Sequence, residues 1–156
     1  MSQSSGFDLS KLSTASKILL GAGILYLIDL FLPWQSVDLG FGIGSANASG
    51  MEGIGIVNLL LVIALIAWEV MAVMGVQINA PRALVSAGLA AAIVVFTILK
   101  IITDNDFIAI WAWIGLVLAV AIGYGGWMRW QEHQAGAGTG SSGGAMPPPP
   151  APGGFS

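Results

Sequence analysis

The sequence contains no cysteine, one histidine and five lysine or arginine residues, and each shortage removes a class of chemistry. Without cysteine there are no disulfides, thiolate metal sites, iron–sulfur ligands or cysteine nucleophiles. The single histidine, His133, stands next to Glu132 beyond the last apolar run, which leaves intramembrane haem ligation and histidine acid–base chemistry without a candidate. Eight acidic residues outnumber the basic ones, for a formal net charge of −3. No basic patch exists for a phosphate backbone, and nucleic acid is not an expected partner. Charged residues make up only 8% of the chain, against about 25% in an ordinary soluble domain.

What is present is apolar. Hydrophobic residues account for 56% of 156 positions and the mean hydropathy is +0.85. They fall into four runs, at about 18–34, 54–76, 83–102 and 107–128, each close to the length that crosses a hydrocarbon core of roughly 30 Å. The first run follows Lys11 and Lys17, but Asp29 interrupts it and Pro33-Trp34 closes it, so it reads as an uncleaved helix rather than a signal peptide. Asn79 and Pro81 break the chain between the second and third runs. Thr103 or Asp104 is placed to cap the fourth. Lys11, Lys17, Arg82 and Arg129 fall on one side of such a topology and only Lys100 on the other. The positive-inside rule makes the first side cytoplasmic. The expectation is an all-α, multi-pass cell-membrane protein: a four-transmembrane-helix bundle with both ends inside. A cytoplasmic leader (1–17) precedes the membrane domain (18–134), and a disordered Gly/Pro-rich tail (135–156) follows it. Trp34, Trp111, Trp113, Trp127 and Trp130 are expected as interfacial anchors.

The loop 35–53 carries the sequence VDLGFGIG, in which Leu39, Phe41 and Ile43 alternate with Gly40, Gly42 and Gly44. A period of two followed by Gly50-Met51-Glu52-Gly53 suggests a small β-hairpin. Two strands alone are marginal in water, so the hairpin has to lean on the helices, the lipid surface or another protein. One helix, an exit at Leu32-Pro33-Trp34, a strand-like outer loop and three tightly linked helices resemble the layout of claudin-type tetraspan proteins, which associate side by side through that loop. The paired loop cysteines and the Gly-Leu-Trp element of that family are missing here. In general plan the chain is also similar to small uncharacterised bacterial four-helix membrane proteins with Pro/Gly-rich tails.

Ionisable groups inside spanning helices are functional candidates by default. Asp29 lies above Gly21, Ala22 and Leu25 on helix one, and Lys100 lies on the line Gly88, Ala92, Phe96 of helix three. Two readings stand for Lys100: an ion pair with Asp29, or a stem that snorkels to the headgroups. Glu69 shares a face with Asn58, eleven residues earlier, and that face matches the equal spacing of Ser86 and Thr97 on helix three. Arg82 is the expected countercharge for Glu69, with Lys17 second. Asp29, Glu69, Asn58 and Lys100 either line a polar path or glue helices together.

Small residues form stripes at Ala83, Ala87 and Ala91, at Gly88 and Ala92, and at Gly115, Ala119 and Gly123, which permit close helix approach within the chain or between copies. The run Pro147 to Pro150 is either a docking site for a proline-binding module or part of an inert spacer. No cofactor, metal or catalytic set is expected. The reading that follows is a non-enzymatic interaction or scaffold subunit, with the bilayer and a homo-oligomeric or membrane-protein partner. A small oligomeric ion or proton conductor is the alternative.

Overall fold

The computed structural model describes residues 12–104 and 108–141. It is mostly helical: α1 (Thr14–Asp29), α2 (Gly55–Val73), α3 (Arg82–Thr103) and α4 (Ile110–Ser141), with β1 (Pro33–Asp38) and β2 (Ser45–Ser49) between α1 and α2. Three helices, α2, α3 and α4, are long and apolar enough to cross a membrane. At 16 residues, α1 is about 24 Å long.

The start and stop of α1 follow from local chemistry. The Ser13 hydroxyl accepts the Ser16 amide at 3.2 Å, a serine N-cap. At the other end Pro33 offers no amide and pushes Leu32 toward extended backbone, so the helix ends at Asp29 and the strand begins at Pro33. The sequence expectation of 18–34 was therefore displaced by several residues toward the N-terminus. α2 ends with Gly75 at φ 75°, the left-handed residue that glycine supplies best. Arg82 then caps the freed carbonyls, donating to Val76 at 2.6 Å and to Ala72 at 3.4 Å.

Each helix buries one stripe at alternating three- and four-residue spacing, the pattern of side chains facing a common core. On α2 it is Asn58, Val62, Leu65 and Glu69. On α3 it is Ser86, Ala90, Ile93, Thr97 and Lys100. Ser16, Leu19, Gly23 and Tyr26 do the same on α1. α1 packs on α2 and α4, and α3 packs on α2 and α4, so every helix has two main neighbours. The apolar residues left outside, among them Ile24, Leu25, Ile28, Leu60, Val95, Val117 and Val120, are about half exposed.

α4 depends on glycine. A Cβ on Gly126 would meet that of Ala90 at 2.5 Å, and one on Gly125 would meet Leu19 at 3.0 Å. Adjacent glycines thus let α4 fit between α3 on one side and α1 on the other. α4 also runs further than expected, continuing helically to Ser141 across residues expected to begin a disordered tail. Helix elongation is far easier than nucleation, so a long helix carries a few glycines at its end. The proline run 147–150 and the rest of the tail lie outside the described residues, as do residues 1–11 of the expected leader.

The two strands pair antiparallel, from Gln35↔Ala48 to Asp38↔Ser45, with a register shift between Pro33 and Gln35. The expected alternation of Leu39, Phe41 and Ile43 does not form a strand. These residues make the turn, with positive φ at Gly40 (68°), Phe41 (51°), Gly42 (73°) and Gly44 (114°). Glycine at alternate positions supplies the left-handed conformations that a tight turn needs.

Candidate functional site

Two polar clusters are built into the helical body, one near each end. The first collects one side chain from every helix. Glu69 on α2 is 1% exposed. Its Oε1 accepts the Ser86 hydroxyl of α3 at 2.5 Å. Its Oε2 accepts the Ser16 hydroxyl of α1 at 3.0 Å and Nη2 of Arg129 on α4 at 3.0 Å. Arg129 also donates to the Ser16 hydroxyl and, through Nη1, approaches Glu132 at 3.5 Å. Both carboxylate oxygens thus receive donors, the condition under which a buried charge is tolerated.

This revises the expected countercharge. Arg82 is spent on the end of α2 and Lys17 is exposed. Arg129 reaches Glu69 because it lies seven and fourteen residues after Ile122 and Gly115, on the buried face of α4. That heptad spacing, and the place of Ser16 on the buried stripe of α1, were the signals in the sequence.

The second cluster lies toward the hairpin. The Tyr26 hydroxyl of α1 and the Thr97 hydroxyl of α3 are 2.6 Å apart. Asn58 Nδ2 of α2 donates to Thr97 at 3.3 Å, and Thr97 itself donates to the Ile93 carbonyl at 2.7 Å. The eleven-residue spacings on α2 and α3 therefore meet at both depths, Asn58 with Thr97 and Glu69 with Ser86. One turn further along α1, Asp29 is 2% exposed, and both of its carboxyl oxygens, like Asn58 Oδ1, have no hydrogen-bond partner among the described residues. A Cβ on Gly115 would run into the Asp29 carboxyl and the Trp34 ring.

Lys100 does not pair with Asp29. Its Nζ donates to Asp104 at 2.9 Å and to the Glu52 carbonyl at 2.7 Å. The i, i+4 geometry on one helix places Asp104 closer to hand than a carboxylate on another. Asp104, expected as a cap for α4, closes α3 instead.

The sequence matches no protein-family model, and no curated protein or solved structure is significantly similar to it. The functional information lies in the site itself.

Trp34 belongs to that site rather than to an interface. It is 2% exposed, its indole donates to the Asp29 carbonyl at 3.0 Å, and its ring meets Tyr26 edge-on with centroids 6.2 Å apart. It sits at the register shift of β1 between Pro33 and Gln35. Its carbonyl accepts the Ala109 amide at 2.7 Å, and Gln35 bridges to Ile108, tying β1 to the start of α4. Trp113 and Trp127, by contrast, are about half exposed, and Trp111 is 37% exposed. Trp130 packs edge-on to Trp127 at 5.3 Å.

The small-residue stripes divide. Gly115 faces Asp29 and Trp34, Gly123 faces Val94, and Ala119 is fully buried, so the α4 stripe is used inside the chain. On α3, Ala87 meets Gly126, Ala83 and Ala92 are half-buried, and Gly88 and Ala91 are exposed.

Proposed function

We propose that this chain is a non-enzymatic multi-pass membrane protein, a four-helix bundle with both ends inside, that acts as an interaction or scaffold subunit through its outer hairpin. The observation that carries the reading is the hairpin tip. Leu39, Phe41 and Ile43 are 52%, 102% and 74% exposed on a turn whose base is fixed to the core by Trp34. Apolar side chains displayed together on a braced element are the usual mark of a contact surface.

Four crossings are supported by the apolar outer face of α1, Ile24, Leu25, Ile28 and Phe31, and by its packing between α2 and α4. Residues 30–32 extend its apolar reach. The orientation is supported by charge. Lys17 and Arg82 have no carboxylate partner among the described residues and belong to the end of the molecule that holds Glu69 and Arg129. Lys100, at the hairpin end, is paired with Asp104. The non-enzymatic reading is supported by the state of the polar groups: Ser16 and Ser86 are 2% and 1% exposed and both donate to an ion-paired carboxylate. With the α4 stripe consumed internally, the hairpin takes over the interaction role.

Co-purification in mild detergent tests this. A heterologous membrane protein should accompany the wild type and be lost with Phe41→Ser, while the variant keeps its helical ellipticity. An unchanged set of companions, or a homo-oligomer alone, refutes it.

A second reading, a small proton or cation conductor, is favoured by the unpartnered oxygens of Asp29 and Asn58. Opposing it, Leu19, Val62, Leu65, Ala90, Ile93, Ala119 and Ile122, all 0% exposed, lie in the stripes between the two polar clusters. Proton flux in liposomes that Asp29→Asn abolishes would favour the conductor over the scaffold.

A further inference from the structure

Between α1 and α2, on the outer face of the helices, runs a groove of about 390 Å³ lined by Leu20, Gly21, Ile24, Ile66 and Val70, with Leu12 and Lys17 completing it at the start of α1. Its volume falls within the roughly 300–1,000 Å³ of ordinary small-ligand sites. Gly21 opens it: a Cβ there would meet nothing within 4 Å. Among the described residues Lys17 is its only ionisable lining residue, and its ammonium makes no hydrogen bond or ion pair with any of them. An apolar slot closed at one end by a free ammonium matches a molecule with a long hydrocarbon chain and an anionic head.

We propose that this groove binds one acyl chain of an anionic phospholipid, with the lipid phosphate on Lys17. The charge decides the occupant. A second copy of this chain would have to leave Lys17 unpaired or bring a carboxylate to it, whereas the phosphate of a neighbouring lipid is already at headgroup depth. Lys17 stands one turn outside the apolar lining, which runs on from Leu20 to Ile24 along α1, about 6 Å of helix. A chain lying against Gly21 would be in contact with both helices at once, through Ile24 on one side and Ile66 and Val70 on the other. Glu69, the nearest charged residue to Val70 on α2, is buried in the core and neutralised by Arg129, so it does not repel an anion here.

The proposal rests on the membrane reading, and the experiment separates the two. The full chain is reconstituted in nanodiscs containing equal phosphatidylglycerol and phosphatidylcholine, and the lipid retained on release is counted by native mass spectrometry. Wild type should keep phosphatidylglycerol in preference to phosphatidylcholine by about fivefold, the effect of one lysine at an anionic surface. Lys17→Gln should remove the preference. Gly21→Leu should fill the slot and remove retention of both lipids, while far-UV ellipticity stays as in wild type. Arg82→Gln, at the same end of the molecule, should change nothing. Retention without a headgroup preference, or an equal loss in Arg82→Gln, overturns the site while leaving the membrane reading intact. A chain that stays outside nanodiscs overturns the membrane reading and the site with it.

Discussion

Replacing Arg129 with glutamine should be the most damaging single change at the Glu69 cluster, and the structure sets its size. Glu69 is 1% exposed and its Oε2 receives both Arg129 and Ser16. Without the guanidinium the two serines remain, but the negative charge is stranded away from water. Removing one partner of a buried pair costs about 3–5 kcal/mol. The reverse change, Glu69→Gln, is milder because Arg129 is 19% exposed and its head turns to solvent. The loss is then of charge-assisted hydrogen bonds, about 1.5–3 kcal/mol. In the double variant no charge is stranded, so it should be more stable than Arg129→Gln alone, with a coupling of about 0.5–3 kcal/mol. Reversible unfolding in mixed micelles, followed by far-UV ellipticity, gives all four corners of the cycle. Arg82→Gln serves as the control, since its exposed carbonyl contacts should be worth no more than about 0.5 kcal/mol. The reasoning fails if Arg129→Gln costs no more than Arg82→Gln, or if the double variant simply adds the two single losses.

The same unfolding assay checks three further expectations. Trp34→Ala should cost about 3–5 kcal/mol, because it empties the core at Tyr26 and frees the base of the hairpin; a loss below 1 kcal/mol would show that the indole is not an anchor. Gly126→Ala should cost about 1–3 kcal/mol from overpacking against Ala90, whereas Gly88→Ala, with open space around it, should be neutral or stabilising by about 0.5–1 kcal/mol; equal effects would contradict the close α3–α4 approach. Tyr26→Phe should cost about 0.5–1.5 kcal/mol through the lost contact with Thr97, and no change in stability would count against that hydrogen bond.

The sequence alone determined where helices could exist and which faces of α2 and α3 they would bury. Apolar runs of membrane length require backbone hydrogen bonds to be made within the segment, so long helices follow from composition. Pro33 and Pro81 mark the breaks because each lacks an amide, whereas the end of α2 at Gly75 came only with the structure. The pairing of Asn58 with Thr97 and of Glu69 with Ser86 was legible too. A short link between antiparallel helices fixes their relative register, and equal eleven-residue spacings then coincide. Partner choice across distant segments was decided only by tertiary structure. Arg129 is 60 residues from Glu69, and which face of α4 turns inward depends on Gly125 and Gly126 admitting α1 and α3 on either side. Lys100 took Asp104 instead of Asp29 because an ion pair within one helix needs no alignment of another. The buried Trp34 sits at a register shift of β1 whose position is set by pairing with β2 and with residues just before α4. Periodicity is a property of one segment at a time, whereas the angular phase between segments is set by the side chains that have to share the core.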